Sequence, residues 1–144
     1  MPAGSGSAVP CASGQVTVTA APPQAAVTHR AVTLTFGLAP GADACTLAGY
    51  PGVDSGAGGP LVHAQRLPRG YMGGLPEASD EPPVVTVSPS ASAHAIVEGL
   101  AVDKSGNPCP TYSDLRVTAP DTTETSTVPT TIDACVLIVH PVTA

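Results

Sequence analysis

The sequence predicts an all-β domain: an antiparallel immunoglobulin-like β-sandwich of about seven or eight strands held by two disulfides. Short runs rich in Val, Thr and Ile alternate between apolar and polar residues, as half-buried strands do. The 144-residue chain holds 17 Pro and 15 Gly, and these interrupt every candidate helix. Its four Cys residues, widely spaced and even in number, favour a disulfide framework.

The predicted strands follow the period-two runs along the chain. The clearest run is 30–38, where the apolar residues from Val32 to Leu38 share one face. Other predicted strands are 15–20, 61–64, 84–87, 94–102, 115–118, 123–128 and 135–140. A short helical turn is predicted at 112–114, because the preceding Pro-Thr pair suits a helix start.

The length fits one domain. Residues 1–10 are small and predict a flexible N-terminal stub, and residues 11–144 predict a single β-sandwich domain. Aromatic residues make up only 3% of the chain and Trp is absent, so we expect a core of Val, Leu, Ile and Ala. No apolar signal segment opens the sequence, so we expect a targeting segment that was removed or not included.

The cysteines allow three disulfide pairings on sequence grounds alone. We favour Cys11–Cys45 and Cys109–Cys135, because each bridge closes a local loop of strand-turn-strand size. No CxxC motif occurs, which argues against common zinc and thioredoxin-like sites. A disulfide framework predicts an extracytoplasmic protein, either secreted or associated with the cell envelope.

The charge balance excludes several classes of partner. A net charge of −6 with five basic residues argues against nucleic acid and against anionic lipid surfaces. No run of about 18 apolar residues is present, so no membrane-spanning segment is predicted. The spacing of the four histidines supports no metal site, and no cofactor is indicated; these residues are His29, His63, His94 and His140.

The run Cys45–Val53, CTLAGYPGV, resembles the signature of an actinobacterial, mycobacterial-like envelope family catalogued as domain of unknown function 4232. Further similar segments are 30–38, 92–95, 108–118 and 135–142. The resemblance implies a secreted protein or lipoprotein with a β-sandwich and the same two disulfides, and it implies no activity. Cys11 is not expected to carry a lipid, because no apolar segment precedes it.

Catalytic patterns in the chain are weak, so the sequence predicts no enzyme. The run 53–62 is similar to the GDSGGPLV motif of trypsin-like proteases, but Val53 replaces the oxyanion-hole Gly and two residues interrupt the run. Too little chain precedes Ser55 to build the first barrel of such a fold. The acidic cluster at 77–81 is interpreted as solvated, and Asp103–Asn107 as a strand-connecting turn.

The stretch 51–83, rich in Gly and Pro, predicts a long loop region, and such regions are commonly functional or mobile. Within it Arg66, Arg69, Tyr71 and Met72 are residue types enriched in interface hot spots. We therefore expect a non-catalytic cell-envelope module that binds a protein or another envelope component through this loop. Two alternatives remain: a loop that only covers the core edge, and a carrier of a small apolar ligand or lipid.

Overall fold

The computed structural model describes residues 9–144, which form an all-β fold. Twelve strands occur in this part of the chain, rather than seven or eight, because several short segments pair beside the long strands. The strands are β1 Val16–Ala20, β2 Gln24–Ala26, β3 His29–Leu38, β4 Cys45–Ala48, β5 Gly52–Ser55, β6 Val62–His63, β7 Gln65–Arg66, β8 Val84–Val87, β9 Ala93–Leu100, β10 Thr111–Thr118, β11 Thr125–Asp133 and β12 Ile138–Val139.

The largest sheet has six strands in the order β1-β3-β9-β12-β7, with β2 also paired to β3. Its pairs are antiparallel except β12 with β7, which run parallel. The ten-residue β3 pairs along most of its length with β9, from His29 opposite Leu100 to Phe36 opposite Ala93. The strand order places β7, and the loop that follows it, at one edge of the sheet.

A second sheet has four strands in the order β11-β10-β5-β6, and β4 pairs with β8 in a separate two-stranded sheet. The two larger sheets share one core, so the arrangement is sandwich-like. The core is mainly aliphatic as expected, and its buried aromatic residues are Phe36 and Tyr112. Fully buried side chains from both sheets include Val32, Leu34 and Val97 on one side and Leu115, Val117 and Ile132 on the other.

The helical turn predicted at 112–114 is wrong, because these residues lie inside β10. The pairing of β10 with β11 shifts register between Tyr112 and Asp114, which marks a β-bulge. Across residues 9–144 no helix occurs, and so none is long and apolar enough to cross a membrane.

The two disulfides are Cys11–Cys45 and Cys109–Cys135, the pairing favoured by loop closure. Two such bridges in a domain of this size are typical of an oxidising, extracytoplasmic compartment. Residues 1–8 of the predicted stub lie outside the described residues. Val9 accepts a hydrogen bond from the Thr46 amide of β4 at 2.9 Å.

Candidate functional site

The region 51–83 contains three short strands, β5, β6 and β7, where the sequence predicts one at 61–64. After β7 the chain forms a compact loop, 66–75, that returns onto the six-stranded sheet. The Leu75 amide donates to the Pro68 carbonyl at 2.7 Å, and the Gly70 amide donates to the Gly73 carbonyl at 2.8 Å. The loop therefore has internal order, and its base ends on Leu75, which is buried.

The four residues predicted as a binding loop lie together in this segment but differ in environment. Arg66 is exposed on β7, and Tyr71 at the tip of the loop is 64% exposed. Met72 is half-buried. Arg69 instead braces the loop: it donates to the carbonyls of Leu75 and Ser79 and pairs with Asp80.

A buried ionisable pair lies directly beneath the loop. Glu98 of β9 is 4% exposed, and His140, immediately after β12, is 1% exposed. Their side chains meet because Glu98 is opposite Ile138 across the sheet, and residues two apart on a strand share a face. His140 Nε2 is hydrogen-bonded to Glu98 Oε2.

Both ring nitrogens of His140 have polar partners. His140 Nδ1 lies 2.8 Å from the Leu67 carbonyl oxygen, which only accepts, so Nδ1 is the donor of this hydrogen bond. Nε2 faces the Glu98 carboxyl group. Burying two polar groups that bond to each other costs far less than burying either one alone.

The same pair holds the 66–75 loop at two points. The Met72 amide donates to Glu98 Oε1 at 3.1 Å, while His140 donates to the Leu67 carbonyl. Gly70 passes so close that a Cβ there would lie 2.3 Å from Glu98 Oε2. The loop thus folds over the pair, and only glycine fits at the point of closest approach.

The Tyr71 ring is stacked on the imidazole of His29, the first residue of β3. The ring centroids lie 3.9 Å apart and the planes differ by 13°. The neighbouring turn joins β2 to β3 through Val27 and Thr28, and Val27 has a φ of 55° and is 85% exposed. A positive φ at the first residue of a two-residue hairpin turn favours glycine, so a β-branched residue there is strained.

A polar network braces this turn. Arg30 donates to the Val27 carbonyl at 3.1 Å and to the carboxylate of Asp133 at 3.0 Å. Asp133 in turn accepts a 2.5 Å hydrogen bond from the Thr111 hydroxyl. Arg30 therefore ties the strained turn to Asp133 at the end of β11.

Comparison with known protein families identifies the family of this chain. The family described as "Domain of unknown function (DUF4232)" matches residues 11–143. The chain belongs to the DUF4232 family. No curated protein and no solved structure matches it significantly.

The protease-like motif of this DUF4232 chain does not form a catalytic set. Asp54 hydrogen-bonds the exposed His63 on the outer face of the four-stranded sheet. Ser55 faces the opposite side, is fully buried, and donates to the Asp114 carbonyl at 2.7 Å. Serine and histidine lie on opposite faces of one sheet, so proton transfer between them is impossible in this arrangement.

The remaining candidates of this DUF4232 chain form local structure. The side chain of Asp103 accepts from the Ser105 and Asn107 amides, which makes it the anchor of a turn as predicted. Glu77 and Glu81 are exposed in the acidic cluster, and its third member, Asp80, pairs with Arg69. Among residues 9–144 no group of three His, Cys, Asp or Glu side chains is placed to hold a metal.

The sequence of this DUF4232 chain marks the four loop residues as candidates for binding, which remains a prediction, but it does not mark the buried pair beneath them. The sequence pattern marks His140 only as a candidate metal ligand, which the spacing of the histidines does not support, and it does not single out Glu98. The available signal is that each is an isolated ionisable residue within an otherwise apolar run, 95–102 or 136–140. Buried charged residues are almost always paired, so two such residues in separate strands are candidates for each other.

Proposed function

We propose that this chain is a non-catalytic, extracytoplasmic binding module of the actinobacterial cell envelope, secreted or anchored, with an immunoglobulin-like β-sandwich fold. The 66–75 loop and the adjoining turn at Val27 provide its contact surface. The partner is a protein or another envelope component. Export is supported by the two disulfides, and the envelope by the family resemblance.

The observation that carries the proposal is the buried Glu98–His140 pair. Burying two ionisable groups costs free energy of desolvation, and replacing such a pair by apolar residues of similar volume is often neutral or stabilising. In this pair, Glu98 accepts a hydrogen bond from the Met72 amide and His140 donates one to the Leu67 carbonyl, and both of these partners belong to the 66–75 loop. Such an arrangement fixes a surface loop at the expense of stability, as expected where the position of the loop matters for binding.

A second feature agrees with a contact surface at this end of the domain. Val27 combines backbone strain with an apolar side chain that is 85% exposed. Strained residues persist where the surroundings fix them, and they cluster at functional sites. The alternative of an apolar-ligand carrier is less favoured, because the cavity beside Phe36 has a volume of about 20 Å³, enough for a water molecule. The concavity beside Leu61, Val62 and Tyr112 measures about 260 Å³, below the roughly 300–1,000 Å³ of ligand pockets.

The test is retention of purified protein by envelope fractions of an actinobacterium, with insoluble wall, membrane and soluble protein separated. We expect the wild type to be retained by one fraction and Tyr71→Ala to lose most of that retention. Leu61→Ala is the matched control, because Leu61 is 62% exposed and lies outside the loop. Equal retention of Tyr71→Ala and wild type, or no retention at all, contradicts the proposal.

A further inference from the structure

We infer that the exposed face of Tyr71 is a stacking site for one sugar ring of a neutral saccharide. The inference rests on the proposed function and names the chemical class of its ligand. It depends on the shape of the Tyr71–His29 stack, on the polar groups at its rim and on the charge of the domain.

The stack leaves one flat apolar surface free. One face of the Tyr71 ring lies on the His29 imidazole at 3.9 Å, nearly parallel to it. The residue is nevertheless 64% exposed, so the opposite face is open to solvent. A planar aromatic face accepts a flat, CH-rich surface, and the apolar face of a pyranose ring has this shape.

The rim of the stack offers polar groups without partners. Within residues 9–144 neither the Tyr71 hydroxyl nor the His29 ring nitrogens make a hydrogen bond to the protein. A hydroxyl donates and accepts, and a neutral imidazole offers one donor and one acceptor. A ligand with an apolar face and hydroxyl groups around its edge satisfies both features, whereas an aliphatic side chain satisfies only the first.

The stack is fixed before any ligand arrives. His29 is paired on both sides in the sheet, opposite Ala26 in β2 and Leu100 in β9. The backbone next to Tyr71 is held by the hydrogen bond from the Met72 amide to Glu98. Little conformational entropy is therefore lost when a ring stacks on Tyr71, which favours binding of a small ligand.

The small area of the exposed apolar surface and the net charge of the chain further limit the chemical class of the ligand. A stable protein interface buries roughly 800 Å² on each partner. Besides Tyr71, the exposed large apolar residues of the 66–75 loop and the adjoining turn are Leu67 and Val27, so the surface fits a small epitope better than a broad apolar interface. The chain carries a net charge of −6, which disfavours anionic polysaccharides through long-range repulsion.

Saturation-transfer NMR tests the inference with three neutral trisaccharides, built from glucose, mannose and N-acetylglucosamine, and one uronic-acid trisaccharide. We expect transfer to the ring CH protons of at least one neutral sugar and none to the anionic one. Tyr71→Ala is expected to weaken binding about tenfold or more, while Tyr71→Phe keeps most of it because the ring remains. Leu61→Ala again serves as the exposed control.

The outcomes separate this inference from the proposed function. Binding of no neutral saccharide, combined with Tyr71-dependent retention by an envelope fraction, rejects the saccharide and keeps the binding module. Binding of the anionic sugar alone, or equal saccharide binding by Tyr71→Ala and wild type, also rejects the inference. Absence of both saccharide binding and envelope retention rejects inference and proposed function together.

Discussion

Glu98 and His140 connect the core to the surface through single side chains. Each is almost completely buried, and each has a hydrogen-bond partner in the 66–75 loop. The loop therefore depends on two residues that never reach solvent. Substituting either residue should lower the free energy of unfolding and should also increase the mobility of the 66–75 loop.

Glu98→Ala is expected to lower the free energy of unfolding by about 3–5 kcal/mol, the usual cost of breaking a buried pair from one side. The substitution leaves His140 Nε2 and the Met72 amide without partners in the interior. Urea denaturation with both disulfides intact measures the change. A loss below about 1 kcal/mol would show that the pair does not hold this structure together.

The double variant Glu98→Leu/His140→Phe is the control for this prediction. Replacing both members of a buried pair by apolar residues is often neutral or stabilising, so we expect most of the lost stability to return. The 66–75 loop should remain loose in this variant, because both of its tethers are gone. Recovery of stability without recovery of slow amide exchange at Met72 would separate the two roles of the pair.

Val27→Gly is expected to stabilise the domain by about 0.5–1 kcal/mol. The φ of 55° at Val27 costs about 1–3 kcal/mol of strain, and the greater freedom of glycine in the unfolded chain offsets part of the gain. Thr28→Gly, at the neighbouring turn residue, is the control and should destabilise. Thermal unfolding of both variants checks the prediction, which is wrong if Val27→Gly lowers the melting temperature.

For single residues, the sequence predicted which side chains lie in the loop but not the role of each one. The types Arg66, Arg69, Tyr71 and Met72 predicted a binding loop, which remains a prediction, but not that Arg69 would be a brace. That role depends on carbonyl groups whose positions are set by the folded loop. The type of a residue limits which groups its side chain can contact, but the folded position of the backbone decides which of these contacts form.

The strands were predictable in proportion to their alternation. The run in β3 and the predicted strand at 84–87 agree with the structure closely, because one face is buried and the other is not. β5 was missed, since Gly52–Ser55 looks like part of a glycine-rich loop until it pairs with β10. The bulge in β10 was mistaken for a helical turn, because a Pro-Thr pair before a bulge and before a helix looks the same in sequence.

The glycines of the 66–75 loop are expected to differ in their tolerance of a methyl group. A Cβ at Gly74 would lie 2.3 Å from the Arg69 Cα, and the φ of Gly74 is +113°. A Cβ at Gly73 would lie 2.5 Å from Cδ1 of Ile96, which is the movable end of a side chain. Gly74→Ala should therefore destabilise by about 2 kcal/mol or more, and Gly73→Ala by less.

Gly41→Ala is the control for the close approach of the loop. Gly41 also has a positive φ, +80°, but nothing lies within 4 Å of a Cβ placed there, so its cost comes from backbone strain alone. Thermal unfolding of the three variants should rank Gly74→Ala as the most destabilised. The packing of the loop is wrong if Gly74→Ala costs no more than Gly41→Ala.

At the scale of the whole molecule, the two disulfides differ in solvent exposure and in the segments that they join. Cys11 and Cys45 are 3% and 0% exposed, and they join the N-terminal segment to the core. Cys109 is 7% exposed, whereas Cys135 is exposed. This second bridge joins the residues before β10 to the segment that leads into β12 and His140. Its state should therefore influence the 66–75 loop.

Thiol–disulfide exchange requires that a thiolate reach one of the two sulfurs, so the accessible bridge should be reduced first. Under limiting reductant, mass spectrometry after alkylation is expected to find Cys109 and Cys135 labelled before Cys11 and Cys45. Either bridge contributes roughly 3.5–4 kcal/mol through loop closure, so total stability alone does not distinguish them.

The two disulfides are expected to differ in which part of the structure becomes mobile when each is removed. Cys109→Ser/Cys135→Ser should speed amide exchange at Met72, because the chain before His140 loses its anchor to β10 and the His140 tether weakens with it. Cys11→Ser/Cys45→Ser should leave that amide slow at equal global stability, since its bridge lies beside β4, at a distance in sequence from both tethers. If both double variants release Met72 equally, the loop follows global stability and not the second disulfide.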